Sequence, residues 1–213
     1  MSTKNDGSQS FQLDALDRIA AKAFAGYLVR KDLVRKYSKQ FPLPTYVVEF
    51  LLGRYCASTD EKEIAEGLEI VEKQLAGRTV RSGDQELFKA RAREHGSVKL
   101  IDIVKAKLDA DEDCYVAELP SVGLKDVLVP DKEVNENERM LTDGFYAEVE
   151  LQYDTLAAQT QGGYPFKIAS LRAIQGSSPD VLERLAEGRK GFTTSEWIDF
   201  LIRSIGLEPS NMD

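Results

Sequence analysis

The sequence contains few of the residues that metal sites and most hydrolase sites require. Its 213 residues include two cysteines, Cys56 and Cys114, and one histidine, His95. A structural zinc site needs about four Cys or His ligands, so we predict no metal site, and we interpret the two thiols as buried and reduced. His95 follows a basic helical segment and is interpreted as a helix-end residue rather than a catalyst.

Nucleotide-binding and hydrolase motifs are also missing from the sequence. No glycine begins a GxxxxGK[ST] phosphate-binding loop, no GxGxxG fingerprint occurs, and no serine lies in a glycine-flanked elbow. We therefore predict that this chain is not an enzyme and that it binds no cofactor.

Long apolar runs are missing as well. No run approaches the roughly 18 residues needed to span a bilayer, and the polar N-terminus does not resemble a signal peptide. We therefore predict a cytoplasmic location and no membrane partner. The composition, 42% hydrophobic and 30% charged, is that of a folded chain rather than a disordered one.

Charge of the two signs is segregated along the chain, although the net charge is −8. Residues 11–57 carry eight Lys and Arg against four Asp and Glu, and residues 78–107 carry the same numbers. By contrast, residues 58–77 carry two against six, and residues 108–164 carry three against fourteen. A local basic surface can therefore coexist with an acidic total.

Apolar residues recur at helical spacing through the first 95 residues. The segment 45–56 is apolar on nearly every side and is predicted to be a core helix. The segment Ser58, Thr59 and Asp60 is predicted to cap the next helix, and Gly77 to end it. The predicted helices cover residues 11–27, 28–41, 45–56, 60–77 and 83–95.

The period changes to that of β-strands near Ser97. Strands are predicted at 98–108, 114–120, 124–130, 145–153 and 165–174, with a helix at 131–141. In the fourth strand, alternation places Tyr146, Glu148 and Glu150 on the face opposite Phe145. This order of elements is typical of an OB-fold, a small five-stranded barrel, while a hairpin-rich sandwich stays open as an alternative.

The predicted fold class is therefore α+β, and two further helices follow the barrel. The last of these helices begins with a capping box at Thr193 and Glu196. The predicted organisation is a disordered tail at 1–10, a helical lobe at 11–96, an OB-like β-barrel at 97–176 and a helical linker at 177–213.

Three long stretches of the chain resemble the N-terminal region of the BrxL family, the Lon-protease-like proteins of BREX anti-phage systems. They are FAGYLVRKDLVRK (24–36), PTYVVEFLLGRYCASTDEKEIAEGLE (44–69) and EGRKGFTTSEWIDFLIRSIGLEP (187–209). The likeness extends from about residue 11 to the end of the chain.

The resemblance implies a place in a larger assembly. Members of the family continue into an AAA+ ATPase module and a Lon-like C-terminal part, and we expect this chain to be the excised N-terminal domain. The family implies a ring that encloses DNA and helps to exclude phage, with the N-terminal domain as its DNA-contacting collar. Such rings resemble replicative helicases in shape. Those helicases often carry a zinc module, but this sequence lacks the Cys and His ligands that the module requires.

Candidate DNA contacts are drawn from basic residues in three segments, each of which could equally be a solvated surface. The strongest candidates lie on the basic side of the second predicted helix, followed by two lysines that share a face of the first strand and a basic pair before the last helix. The candidates are Arg30, Lys31, Arg35, Lys36, Lys39, Lys105, Lys107, Arg189 and Lys190.

The expected partners are double-stranded DNA, other copies of the chain in a ring, and other BREX components. An acidic loop at 109–113 argues against single-strand or sequence-specific binding by the barrel, because acidic side chains repel phosphate. One alternative is a protein-interaction module in which the acidic barrel surface and the Glu-rich helix at 60–73 serve subunit packing. Another alternative, which rests on the family name, is a substrate-recognition domain of a Lon-like protease.

Overall fold

The computed structural model describes residues 13–174 and 180–211. The predicted tail at 1–10 lies outside these residues, as do the first two residues of the predicted first helix. The predicted α+β fold class, with helices followed by a barrel and further helices, is confirmed.

Between residue 13 and the barrel the structure describes five helices, and their positions follow the apolar periodicity of the sequence. They are α1 (Ala15–Ala23), α2 (Lys31–Gln40), α3 (Thr45–Tyr55), α4 (Glu61–Arg78) and α5 (Gln85–His95). Within the predicted cap segment 58–60, Asp60 is the residue that caps α4, because its carboxylate accepts hydrogen bonds from the amides of Lys62 at 2.8 Å and Glu63 at 3.3 Å. The prediction that Gly77 ends this helix is wrong, since α4 continues through Gly77 to Arg78.

The predicted core helix, α3, lies at the centre of the helical part. Val47, Val48, Leu51 and Leu52 of this helix are fully buried. They pack with the apolar faces of α2 and α4 in one hydrophobic cluster, which also includes Ile101 from the barrel. The helical part and the barrel therefore share a packed boundary.

The five strands form a closed barrel in the order β1-β2-β3-β5-β4. They are β1 (Ser97–Asp109), β2 (Cys114–Leu119), β3 (Leu124–Val129), β4 (Phe145–Tyr153) and β5 (Phe166–Ala173). The contact between β3 and β5 is parallel, and the other pairings are antiparallel. This closure removes exposed strand edges and confirms the predicted OB-like barrel.

The long strand β1 closes the barrel by pairing with two different strands. Its first part, from Ser97 to Val104, pairs with β4, and its last part, from Lys105 to Asp109, pairs with β2. Between β3 and β4, a short helix α6 (Asp131–Glu136) and a 3₁₀ turn bury Val134 and Met140 in the barrel core.

Within the described residues 180–211, two α-helices follow the barrel, α7 (Val181–Arg189) and α8 (Thr194–Ser204). The predicted capping box at the start of α8 is present, with Thr193 and Glu196 each bonding the other's backbone amide. Both helices contact α1, and Phe24, Phe192, Trp197 and Phe200 form an aromatic cluster between them. No described helix is both long enough and apolar enough to cross a membrane.

Candidate nucleic-acid interface

Helix α2 carries its basic residues opposite a buried apolar face. Leu33, Val34 and Tyr37 recur at helical spacing and are buried against α3 and α4. The five basic candidates of this segment are therefore turned toward the surface, as the periodicity predicts. They are Arg30, Lys31, Arg35, Lys36 and Lys39.

Three of these basic side chains make ion pairs with nearby carboxylates. Arg30 lies 2.7 Å from Asp32 and 3.3 Å from Glu61, and Lys31 pairs with Glu49 of α3. Burial alone would raise the pKa of Asp32, but hydrogen bonding and charge from Arg30 outweigh it and hold that pKa below the ordinary value.

Lys36 makes a longer ion pair on the same surface. Its Nζ atom lies 4.0 Å from Glu72 of α4 and 4.9 Å from the centre of the Tyr37 ring. Together with the pairs made by Arg30 and Lys31, this contact means that acids from α2, α3 and α4 neutralise much of the local charge on α2.

Arg35 and Lys39 differ from their neighbours. Arg35 donates a hydrogen bond to the carbonyl of Gly206 at 3.1 Å, which keeps its charge but fixes its side chain against the C-terminal segment. Lys39 is exposed, and no carboxylate of the described residues lies within ion-pair distance of it.

Lys105 and Lys107 lie on the last part of β1, where this strand pairs with β2. Both side chains are exposed, and neither makes an ion pair within 4.0 Å in the part of the chain that the structure describes. Lys105 is opposite Glu118 and Lys107 is opposite Val116 in the strand register. These two lysines present positive charge to solvent on one face of the barrel.

The acidic loop after β1 is held close to these lysines. Tyr164 donates a hydrogen bond to Asp109 at 2.8 Å, which joins the loop after β1 to the loop after β4. This bond is the main cause that lowers the pKa of Asp109, and the charge of Lys107 contributes to the same shift. The Asp109 carboxylate therefore keeps a negative charge close to Lys107.

Arg189 and Lys190 contact their own segment. Arg189 donates a hydrogen bond to the carbonyl of Phe192 at 2.7 Å, and its guanidinium lies 5.5 Å from the centre of the Trp197 ring. Lys190 pairs with Glu187 one turn earlier. The candidate DNA contacts of the three segments therefore lie on different elements. They are at α2 in the helical core, on β1 in the barrel, and at the end of α7, which packs against α1.

Sequence reasoning missed a basic groove between the helical part and the barrel. Glu148 of β4 accepts hydrogen bonds from Arg54 at 2.9 Å and from Arg78 at 2.6 Å, and its side chain is only 11% exposed. Lys99 and Arg172 complete the cationic lining of this groove, which has a volume of about 350 Å³. Because the arginines are on α3 and α4, this network joins the two parts of the molecule.

A buried carboxylate was missed as well. Asp102 of β1 is fully buried and accepts hydrogen bonds from the amide and hydroxyl of Ser121 and from the amide of Val122. Burial raises the pKa of Asp102, although these hydrogen bonds oppose the rise. Its hydrogen bonds fix the turn between β2 and β3, so we assign it a structural role.

Comparison with known proteins identifies the family to which this chain belongs. A family model described as the N-terminal part of the BREX system Lon protease-like protein BrxL matches residues 22–153. The chain belongs to the BrxL family. A second family model, the ATPase domain of Lon-like protease BrxL-like proteins, matches residues 166–213.

Two relatives carry the name Lon-like protease BrxL. The relative from Escherichia coli O9:H4 (strain HS) is 40% identical over 206 residues, which are 97% of this chain and 29% of the relative. The relative from Bacillus cereus (strain H3081.97) is 38% identical over 190 residues, which are 89% of this chain and 28% of the relative. The chain therefore spans less than a third of the length of these relatives.

Among the described residues, no group of three or more His, Cys, Asp or Glu side chains is arranged to hold a metal ion. Cys56 is buried in the helical core, and burial raises the pKa of its thiol, which keeps it protonated. The prediction of a buried thiol is wrong for Cys114, which lies at the start of β2 and is half-buried. The absence of catalytic activity in this chain stays a prediction.

Proposed function

We propose that this chain is the DNA-contacting N-terminal collar of a ring-forming AAA+ ATPase that acts in BREX phage exclusion. It contacts the phosphate backbone of double-stranded DNA without sequence specificity. The observation that carries the proposal is the pair of exposed lysines on β1, Lys105 and Lys107, which have no ion-pair partner among the described residues. The ATPase-domain match at 166–213 supports a position beside an ATPase module.

The electrostatics favour contacts by the barrel over contacts by α2. Arg30, Lys31 and Lys36 would have to exchange their carboxylate partners for phosphate, whereas Lys105 and Lys107 would only release counterions. We therefore rank Lys105 and Lys107 first among the candidate contacts, followed by Lys39, an exposed cation of α2 with no carboxylate of the described residues within ion-pair distance.

The net charge of −8 requires that DNA approach one local surface. A single copy with two or three phosphate contacts binds weakly, on the order of 10⁻⁴ to 10⁻⁶ M at physiological salt. Several copies in a ring multiply that affinity, because each further contact becomes intramolecular. The proposal therefore predicts much tighter binding by the assembled ring than by the isolated chain.

The test is fluorescence anisotropy of a labelled DNA duplex, titrated at several salt concentrations with the full-length ring and with the isolated chain. The double variant Lys105→Gln and Lys107→Gln is expected to lower the affinity of the ring at least tenfold. It should also reduce the slope of log K against log salt by about 0.9 for each phosphate that is no longer neutralised. Glutamine is chosen because a glutamate at 105 would face Glu118.

A matched control removes the same charge from another exposed surface. Lys62→Gln and Lys73→Gln both lie on α4, and this pair of changes should leave the affinity and the salt slope unchanged. Equal decreases in affinity in the two double variants would show a general charge effect and would contradict the proposed site. No binding by the assembled ring at low salt would contradict DNA contact altogether.

A second candidate function is an interaction module that packs subunits of the same ring. It is favoured by the acidic exposed side of α4, where Glu63, Glu66 and Glu69 are exposed to solvent. Two sets of variants separate the two functions: charge reversal of Glu63, Glu66 and Glu69 on α4, and the Lys105→Gln, Lys107→Gln pair on β1. A broken ring that still contacts DNA would support the interaction module, and an intact ring that no longer retains DNA would support the collar.

A further inference from the structure

Helix α8 has two apolar faces, and only one of them is covered. Trp197 and Phe200 point toward the aromatic cluster around Phe24 and Phe192. About a quarter of a turn away, Ile198, Leu201 and Ile205 recur at three- and four-residue steps and form a second stripe. Their exposed fractions are 51%, 44% and 73%.

Further exposed aliphatic side chains lie close to this stripe in the sequence. Leu207, just beyond the helix, adds a further exposed aliphatic side chain, and Leu182 and Leu185 of the neighbouring helix α7 are exposed at the same three-residue spacing. Single exposed leucines are ordinary, whereas exposed apolar residues that share one face of a helix, as Ile198, Leu201 and Ile205 do, are a feature of surfaces that a partner covers. A helix that is apolar on two sides is typical of a protein core.

The other sides of α8 show which surface is left for a partner. Arg203 makes ion pairs with Asp14 at 2.6 Å and with Asp17 at 3.4 Å, so α1 is fixed on one side of α8. The aliphatic stripe lies away from these contacts and from the aromatic cluster. A partner can therefore cover the stripe without displacing α1.

The match to an ATPase-domain family model indicates which part of the protein could cover the stripe. Both α7 and α8 lie within residues 166–213, which match part of a family model for an ATPase domain rather than the family model for the N-terminal part. The relatives are more than three times as long as the matched region. The stripe thus belongs to a segment whose parent domain extends beyond the described residues.

We propose that the aliphatic stripe of α8, formed by Ile198, Leu201 and Ile205, is covered in the full-length protein by the remainder of its own ATPase domain. In this arrangement α8 is shared between two packed surfaces: its aromatic face holds α1, and its aliphatic face holds the ATPase core. Helix α1 is then attached through α8 to the ATPase side of the protein.

Cysteine accessibility tests this assignment. Ile198→Cys and Ile205→Cys are each introduced with Cys114→Ser, and maleimide labelling rates are compared between the 213-residue chain and the full-length protein. The stripe cysteines should react at least tenfold more slowly in the full-length protein. The matched control is Glu183→Cys on the exposed polar side of α7, which should react at similar rates in both.

Three outcomes would overturn the assignment. Equal labelling rates at the stripe in both proteins would show that the ATPase core does not cover it. Equal protection of Glu183→Cys would show that the protection is not specific to the stripe. Protection that appears in the 213-residue chain and rises with its concentration would show that a second copy is the occupant. The assay contains no DNA, so its result does not depend on the proposed DNA contact.

Discussion

Gly67 and Gly77 lie in the same helix, α4, but only one of them has room for a side chain. A Cβ atom at Gly67 would lie 2.0 Å from the carbonyl oxygen of Tyr55 and 3.0 Å from the sulfur of Cys56. A Cβ atom at Gly77 would meet nothing within 4 Å. The absence of a side chain at Gly67 lets the end of α3 approach α4 closely.

Alanine at these two positions should therefore have opposite effects. Gly67→Ala is expected to lower the free energy of unfolding by about 1–3 kcal/mol or more, because the obstructing atom belongs to the backbone. Gly77→Ala should raise it by up to about 1 kcal/mol, since alanine loses less entropy than glycine on forming a helix. Urea denaturation of both variants measures the difference, and a stable Gly67→Ala variant would contradict the close approach.

Helix α1 is attached to the C-terminal helices by both charge and aromatic packing. Burial alone would raise the pKa of Asp14, but hydrogen bonds from the amide of Asp17 and from Arg203 outweigh it and hold that pKa below its ordinary value of 3.8. Asp14 therefore stabilises the folded state fully above that ordinary value, and this contribution is lost as pH falls through the lower folded pKa.

Replacing Arg203 should show that the stability of this contact depends on pH. Arg203→Gln is expected to destabilise the docking of α1 at pH 7 by about 0.5–1 kcal/mol, which is typical of exposed ion-pair networks. The difference from the wild type should begin to shrink as pH falls below about 3.8 and should disappear once pH passes the lower pKa that Asp14 has in the folded wild type. Fluorescence of Trp197, the single tryptophan, reports on this cluster during urea titration.

The control for this prediction is Arg18→Gln. Arg18 is also on α1, is exposed, and has no carboxylate within ion-pair distance among the described residues. Its removal should leave the urea midpoint unchanged at every pH. A difference at Arg203 that stays constant from pH 7 to pH 3 would show that Asp14 is not its partner in solution.

The described residues form three hydrophobic clusters that share no buried residue. One fills the barrel, one lies among α2, α3 and α4 with Ile101 at its boundary, and the third consists of Ala20, Phe24 and Phe192 with their neighbours. The first two are further joined by the ion pairs of Glu148 with Arg54 and Arg78. The third cluster is the smallest, and it contains Trp197 among its half-buried members.

Unfolding of the isolated chain should therefore occur in two steps. Because the small cluster contributes little buried apolar area, α1, α7 and α8 are expected to separate at lower urea concentration than the barrel and the helical core. Trp197 fluorescence follows the first step, and circular dichroism of the β-strands follows the second. Coincident transitions from the two probes would show that the whole chain unfolds as one cooperative unit.

Much of the fold could be predicted from the sequence because its determinants are local. Helices, strands and caps follow from apolar period and from side chains such as Asp60 and Thr193 that bond neighbouring amides. The OB-like barrel could be predicted from the order of these elements. The candidate basic residues could be recognised from the segregation of charge along the chain. Membership of the BrxL family could be recognised from long stretches of similar sequence in the same order.

The partners of those charges could not be predicted, because ion pairs depend on which surfaces meet after folding. Alternation along β4 placed Glu148 away from the barrel core, but its arginine partners lie 94 and 70 residues earlier in the chain. Similarly, Arg203 meets Asp14 across 189 residues. Local pattern specifies the face on which a side chain lies. The packing of α2, α3 and α4 is what gives Arg30, Lys31 and Lys36 their acidic partners. The tertiary structure likewise decides that Lys105 and Lys107 face solvent.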